Sequence, residues 1–380
     1  MSIIVLAFVL FAPAQKTNRS QDIIVISFEG VDRFAVQSDG KVHPVGSRFG
    51  HEATTGGVLG DFNGDGLVDL VTSGRNGTPN VLWLGVKSGS FEKAQVMISQ
   101  MTWKVRSGDF NGDGSLDLFL VNNFDYATNE LKANEIWLND GKGRFNRSEQ
   151  AFIPAYSNDA VIADFDGDGD VDVFVVNRGF DVLWLNDGSG HFLHSGQRLG
   201  LAEDFGNGAG CGDLDGDGDL DVVVANTGQN YIYLNHGNGE FSLKDAFLGK
   251  GDSFAVELGD LDGDKDLDAF IAERSHQPNT VWLNDGTGQF AETNQSLGNG
   301  YSLGLKLFDV DGDGDLDALV ANRKADREAG ESPCLLWMND GKGHFSDSGQ
   351  RIGWARHRQV LIVKPPSHLK STKDREIHQP

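Results

Sequence analysis

The sequence predicts an all-β protein, a seven-bladed β-propeller of four-stranded blades, and three observations carry that reading. An acidic nonapeptide recurs six times at spacings of 48, 55, 49, 47 and 49 residues. An aromatic-and-glycine signature trails every copy, clearest as Trp184-Leu-Asn-Asp-Gly-Ser-Gly-His-Phe192. No segment sustains a 3.6-residue apolar period beyond a turn or two, so a repeat near fifty residues must be built from short strands. Fifty Gly against nine Pro, with 39% hydrophobic residues, suit a chain with many turns and enough apolar surface for a core.

In chain order, residues 3–12 form an apolar run followed by Ala12-Pro13-Ala14. That pattern reads as a signal peptide over residues 1–14, although Met1-Ser2 lacks the usual basic residue. The run is too short to span a bilayer and no other stretch replaces it, so the mature chain is expected to be soluble: secreted, periplasmic or at the cell surface. Residues 22–27, 33–36 and 42–45 then read as strands two, three and four of a blade that lacks its first strand.

Six full units follow. In the third, residues 160–163 enter the acidic loop, residues 171–176 leave it as a β-branched strand, residues 181–185 form a third strand, and Asn186-Asp-Gly-Ser-Gly190 turns into a fourth. Residues 359–363 supply the strand missing at the amino terminus. The reading is therefore one propeller over residues 15–364, closed by one carboxy-terminal and three amino-terminal strands, with residues 365–380 as a disordered tail. Such closure removes exposed sheet edges. The third-strand aromatics Trp83, Trp137, Trp184, Tyr233, Trp282 and Trp337 recur at one blade position and are expected in the core.

The acidic loops predict calcium sites. In the third, side-chain oxygens recur at positions 1, 3, 5 and 9 as Asp164, Asp166, Asp168 and Asp172, and the carbonyl of Asp170 at position 7 can turn inward. About five to seven hard oxygens around one centre suit Ca²⁺ better than Mg²⁺, which demands octahedral geometry and retains water. The corresponding residues are Asp61, Asn63, Asp65, Leu67 and Asp69 in the first loop and Asp109, Asn111, Asp113, Ser115 and Asp117 in the second. The fourth has Asp213, Asp215, Asp217, Asp219 and Asp221, and the fifth Asp260, Asp262, Asp264, Asp266 and Asp268. The sixth has Asp309, Asp311, Asp313, Asp315 and Asp317. An EF-hand would need a bidentate Glu at position 12, where these loops place Thr72, Leu120, Val175, Val224, Ile271 and Val320. The expectation is up to six structural ions. Lys265, in place of Gly at position 6 of the fifth loop, would set an ammonium beside its ion.

The loops hold 26 Asp, more than the whole net charge of -24, so the rest of the chain is close to neutral. Nothing in that balance suits nucleic-acid phosphates or an anionic membrane. Two cysteines, Cys211 and Cys334, fall in different units and are too few for a disulfide framework.

The loop D-x-[DN]-G-D-G-x-x-D between paired strands, repeated with a trailing NDGxGxF, resembles the FG-GAP/VCBS repeats of integrin-α-like propellers. The resemblance covers residues 22–364 and implies seven blades with calcium in the loop joining strands one and two. Lys265, Asn63 and Asn111 depart from its pattern, and the seventh blade has no such loop.

Function belongs to the other face, because the loop carboxylates already fill a calcium shell and imply no open catalytic position. That face carries the connections between strands two and three, longest at residues 122–134 and 322–334, where variation is most often functional. His51, His276, His357, Tyr126, Tyr156, Tyr301, Trp103, Trp354, Arg178, Arg274 and Arg323 fall there. The leading expectation is a non-enzymatic extracellular module binding a protein or glycan. Two alternatives stand beside it. One is a polysaccharide lyase acting on uronic-acid glycans, with His51, His276 or His357 as base and Arg274 or Arg323 neutralising a carboxylate. The other is a structural repeat of a cell-surface assembly.

Overall fold

The repeat seen in the sequence becomes a repeat of sheets. The structure, a computed structural model, describes residues 19–50, 53–98, 101–244, 248–323, 332–355 and 357–363. Among them every regular element is a β-strand, and no helix is long and apolar enough to cross a membrane. The signal-like segment, the tail beyond residue 364, His51 and most of the 322–334 connection lie outside the described residues.

Unit three shows the pattern. Ser157–Ala163, Asp172–Asn177, Val182–Asn186 and Phe192–His194 pair antiparallel in that order. The second strand, Asp-Val-Phe-Val-Val-Asn, is buried at all six positions. A strand reads as a continuous apolar run when both of its faces are covered, here by neighbouring sheets. One core cluster accordingly joins Phe110, Phe119 and Ile136 of unit two to Val173, Trp184 and Phe192 of unit three. The expected aromatic layer is present: Trp83, Trp137, Trp184, Tyr233 and Trp337 are buried, and Trp282 is half-buried against its own cluster.

Four of the six units form separate four-stranded sheets; units four and five are joined where Thr227–Gln229 pair with residues 250–252. A further four-stranded sheet takes strands from both ends of the chain, in the order Val42–Pro44, Gly30–Gln37, Arg19–Ser27 and His357–Val363. The first strands contact one another in a cycle, from Thr54–Gly60 through Thr102–Gly108, Ser157–Ala163, Gly206–Gly212, Lys250–Gly259 and Tyr301–Phe308 to His357–Val363, which returns to Thr54–Gly60. The architecture is all-β and propeller-like.

Each of these inner strands carries a one-residue bulge at the same place, at Thr55, Trp103, Asn158, Asn207, Phe254, Leu303 and Arg358. A bulge re-aims the extra side chain. Here several reach the next unit: Thr55 Oγ1 donates to the Thr102 carbonyl (2.9 Å), Asn158 Nδ2 to that of Gly206 (2.6 Å) and Asn207 Nδ2 to that of Ser253 (2.8 Å). Ion pairs add to the ring, with Lys104 and Arg106 on Asp159 and Lys306 on Glu257.

The outer rim has its own clip, a glutamine bonding both ways with the following unit. Gln150 Oε1 accepts the Phe192 N–H (3.2 Å) while Nε2 donates to the Phe192 carbonyl (3.1 Å). Gln95, Gln197 and Gln295 do the same work on the turns that follow them. Gln350 clips the carboxy-terminal unit to the amino-terminal one, accepting from Val42 N–H (3.0 Å) and donating to the Gly40 carbonyl (2.8 Å).

Candidate metal centres

Each acidic loop is folded by its own first and ninth residues. Asp164 Oδ1 accepts the Gly167 N–H at 2.8 Å and Oδ2 the Gly169 N–H at 3.0 Å. Glycine is favoured at both places because φ is +77° and +98°. Asp172, fully buried, accepts the N–H groups of Phe165 (2.9 Å) and Asn186 (2.8 Å), so it ties position 2 of the loop to the end of the third strand. Asp69, Asp117, Asp221, Asp268 and Asp317 make the same pair of bonds.

This scaffold gathers positions 1, 3 and 9. Carboxylate oxygens of Asp164, Asp166 and Asp172 lie within 4.8 Å of one another, as do those of Asp213, Asp215 and Asp221, of Asp260, Asp262 and Asp268, and of Asp309, Asp311 and Asp317. In the first two loops Asn63 and Asn111 hold position 3 and donate to Asp65 and Asp113, both at 3.1 Å. Position 5 is not gathered in: Asp168 is exposed and its Oδ1 accepts the Asp170 N–H (2.9 Å), a bond made by the position-5 Asp of every loop. The side chain at position 7 turns away. A Cβ on Gly188 would stand 2.3 Å from Asp170 Oδ2, which explains the first Gly of the Asn-Asp-Gly turn beyond its φ of +76°. Leu67 and Ser115 hold the same position in the first two loops.

The electrostatics favour a bound cation. Burial, with the neighbouring carboxylates adding to it, pushes Asp172, Asp221, Asp268, Asp317 and Asp69 up to about 7 and Asp117 to about 6, against the pull of their N–H donors. Asp166, Asp215, Asp262 and Asp311 are raised for the same first reason, burial. Asp215 Oδ1 is buried without a hydrogen-bond partner. Hard oxygens held this close, one of them unsatisfied, fit a divalent ion. Lys265 does not spoil the fifth loop: it is exposed, takes φ of +83° and donates its N–H to Asp260 Oδ2 (3.1 Å) as glycine does elsewhere.

The acidic loops and Asn-Asp-Gly turns share one face, since a Cβ at position 4 of a loop would meet the turn carbonyl of the next unit, as Gly112 does with Gly188. A clamp the sequence reading missed sits between them. Asn186 Nδ2 donates to the Phe110 carbonyl of the preceding loop (2.9 Å) and to Val171 (3.1 Å). Asn139, Asn235, Asn284 and Asn339 likewise reach back to Phe62, Phe165, Leu214 and Leu261.

On the opposite face Arg178 lies over Tyr156, and the His276 N–H donates to the Gly300 carbonyl beside Tyr301. His276 is exposed in a turn with φ of +59°. His357 opens the last strand, where only its backbone is described. Arg274 is already paired with Asp252 at 2.5 Å and stacks on Phe254, while Arg323 lies over Tyr301. The 122–134 connection forms a small hairpin, Phe124–Asp125 with Glu130–Leu131. Cys211 and Cys334 are free thiols, and burial pushes Cys211 up to about 12.

A propeller-like ring of sheets with one acidic loop per unit defines a class of protein. The FG-GAP-like repeat model matches residues 61–120, 109–175, 164–224, 213–271 and 260–320, so the chain belongs to the FG-GAP-like repeat family. No curated protein sequence matches it. Among solved structures it is similar to an Agrocybe aegerita lectin that recognises non-reducing terminal N-acetylglucosamine, with 18% identity, a TM-score of 0.60, and coverage of 92% of this chain and 96% of that one. It is also similar to the periplasmic gluconolactonase PpgL of Pseudomonas aeruginosa, with 14% identity, a TM-score of 0.66, and coverage of 91% and 99%. At such identities the likeness shows the fold alone.

Proposed function

We propose that this chain is a secreted, calcium-stabilised propeller of seven blades that binds an extracellular protein or glycan through the face opposite its acidic loops. Six blades are the six units, and the seventh is the sheet shared by the two chain ends. Positions 1, 3 and 9 would hold the calcium, and the exposed position-5 carboxylate would turn in beside the position-7 carbonyl to complete the shell. When bound it supplies charge neutralisation and a rigid loop.

The observation that carries the reading is the contrast between the faces. On the metal face the same three carboxylates meet in the same way in four of the six units, which is the mark of a structural part. The other face varies more, with an inserted hairpin in unit two, and Arg75, Arg178, Arg274 and Arg323 on rings at the ends of the second strands of units one, three, five and six where units two and four have Asn123 and Thr227. A propeller that is similar in fold and recognises a sugar supports the glycan arm. The test is an array of glycans and extracellular proteins probed with the calcium-loaded chain. Saturable binding that survives Asp168→Ala and is lost on shortening the 122–134 hairpin supports the reading. Binding abolished by Asp168→Ala in a folded protein would move the ligand to the metal face and overturn it.

A further inference from the structure

On the opposite face the inserted hairpin of unit two extends one of the guanidinium-on-ring stacks into a longer column. Phe124 opens the hairpin, and its place is fixed by Asn123, which is buried. Asn123 Nδ2 donates to the Ser157 carbonyl (2.7 Å) and to Asn158 Oδ1 (2.8 Å), while its Oδ1 accepts the Phe124 N–H (2.6 Å). So held, the Phe124 ring stacks on Tyr156 at 5.2 Å and 17°, and Tyr126 meets Phe124 edge-on at 5.0 Å. The column continues into units three and four: the Arg178 guanidinium lies 5.3 Å over Tyr156 and 4.0 Å over Phe205. Its backbone is pinned too, donating to the Tyr156 carbonyl at 2.8 Å and bridging Phe205.

The column is costly as it stands. Tyr126 is 75% exposed and Phe205 38% exposed, and Arg178 is exposed between them. Phe124 and Tyr156 between them are half-buried, and a joined run of rings open at both ends marks a contact surface more often than scattered ones do. Arg178 also differs from Arg274 at the equivalent place, which Asp252 and Thr227 hold. Among the described residues no carboxylate pairs with Arg178. Its neighbours' acids are engaged elsewhere: Asp125 and Glu130 with Lys132, and Asp204 with the Tyr231 hydroxyl and the Leu201 N–H. A guanidinium sandwiched by rings keeps its N–H fork free at the rim, where it matches a carboxylate or sulfate in two parallel bonds.

We propose that this column is a binding site for an acidic polysaccharide, with Arg178 taking the acid group of one sugar and the flat face of a neighbouring sugar lying on Tyr126 or Phe205. The proposal rests on the binding-module reading above and names its site and ligand class. The cation calls for an acid, and the ring faces and edges suit the flat C–H face of a pyranose.

The experiment is isothermal titration of the calcium-loaded chain with a hexagalacturonate, with a sulfated oligosaccharide of similar length, with a neutral cello-oligosaccharide and with an acidic peptide of equal charge. Arg178→Gln and Tyr126→Ala are tested alongside; both sites are exposed, and melting temperature reports that the variants remain folded. The proposal expects one of the two acidic sugars to bind and the neutral one to bind about tenfold more weakly or worse. It expects a loss of about tenfold in Arg178→Gln and about fivefold in Tyr126→Ala. Preference for the carboxylated or the sulfated sugar tells the two acid groups apart. Acidic-sugar binding unchanged in both variants would overturn the column while leaving a binding module with its site elsewhere. Equal binding of the acidic peptide would overturn the ligand class. No binding of any acidic sugar overturns the proposal, and the module reading falls with it only if the wider array is also silent.

Discussion

Asn186 donates its side-chain N–H to the carbonyl of Phe110, 76 residues earlier, at 2.9 Å. Phe110 is position 2 of the preceding acidic loop, so the bond ties the end of one unit's third strand to the metal loop of the unit before it. Five units repeat the bond, which makes the ring cooperative: a loop cannot loosen without freeing a buried donor in its neighbour. Asn186→Ala should therefore cost about 2 kcal/mol, while Asn238→Ala, in an exposed turn, should cost less than about 0.5 kcal/mol. Urea unfolding of the two variants checks this, and equal losses would contradict it.

Positions 5 and 9 of a loop should fail in different ways. Asp172→Ala strands two buried N–H groups, those of Phe165 and Asn186. It should cost about 3 kcal/mol in metal-free protein, and more in saturating calcium, where the ion it helps to hold is lost as well. Asp168→Ala removes an exposed carboxylate and should cost little in metal-free protein. In saturating calcium it should lose about one ion per chain and up to about 2.7 kcal/mol, the stabilisation given by a hundredfold excess over Kd. Unfolding of both variants in each condition, with calcium counted per chain, separates the two roles.

Much of this was legible in the sequence. Two motifs in step gave the units, the β-branched run after each loop gave the buried second strand, and the strands read at the two chain ends share one sheet. What escaped depends on partners in another unit. Gln150, Gln197, Gln295 and Gln350 each follow the turn Phe by five residues, a recurrence that could have been noticed, but their bonds run to the next unit's turn. The inner-strand bulges fall on Thr, Trp, Asn, Phe, Leu and Arg alike, so no residue type announces them. Arg178 looks like Arg274 in sequence; only the ion pair with Asp252 tells the two apart.

Metal-free stability should fall as pH rises, and calcium should remove that fall. Burial raises Asp172 to about 7 from an ordinary value near 3.8. A raised carboxyl binds its proton more tightly in the folded state, so its contribution is full below the ordinary value and is lost as pH climbs through about 7. Asp221, Asp268 and Asp317 behave alike. Metal-free protein should melt at a lower temperature at pH 7.5 than at pH 5. Calcium replaces the protons, so the rise in melting temperature that it gives should be larger at pH 7.5. Calorimetry of resin-stripped protein at both values, with and without millimolar calcium, reads this directly, and an increment independent of pH would contradict it.

Lys265 sits at φ of +83° where its counterparts are glycines. The left-handed conformation costs a side-chain-bearing residue about 1–2 kcal/mol, and glycine returns up to about 1 kcal/mol in the unfolded chain. Lys265→Gly should stabilise by about 0.5–1 kcal/mol in urea unfolding. A destabilised variant would mean that the lysine is better accommodated there than its backbone suggests.

The central claim is that the acidic loops are structural calcium sites, and equilibrium dialysis against calcium, with melting temperature taken on the same samples, tests it most directly. The account predicts at least four ions per chain, one for each loop whose three carboxylates converge, six if the Asn-bearing loops also fill, and a melting temperature that rises with occupancy. No calcium bound above background, together with melting curves that coincide with and without chelator, would contradict it.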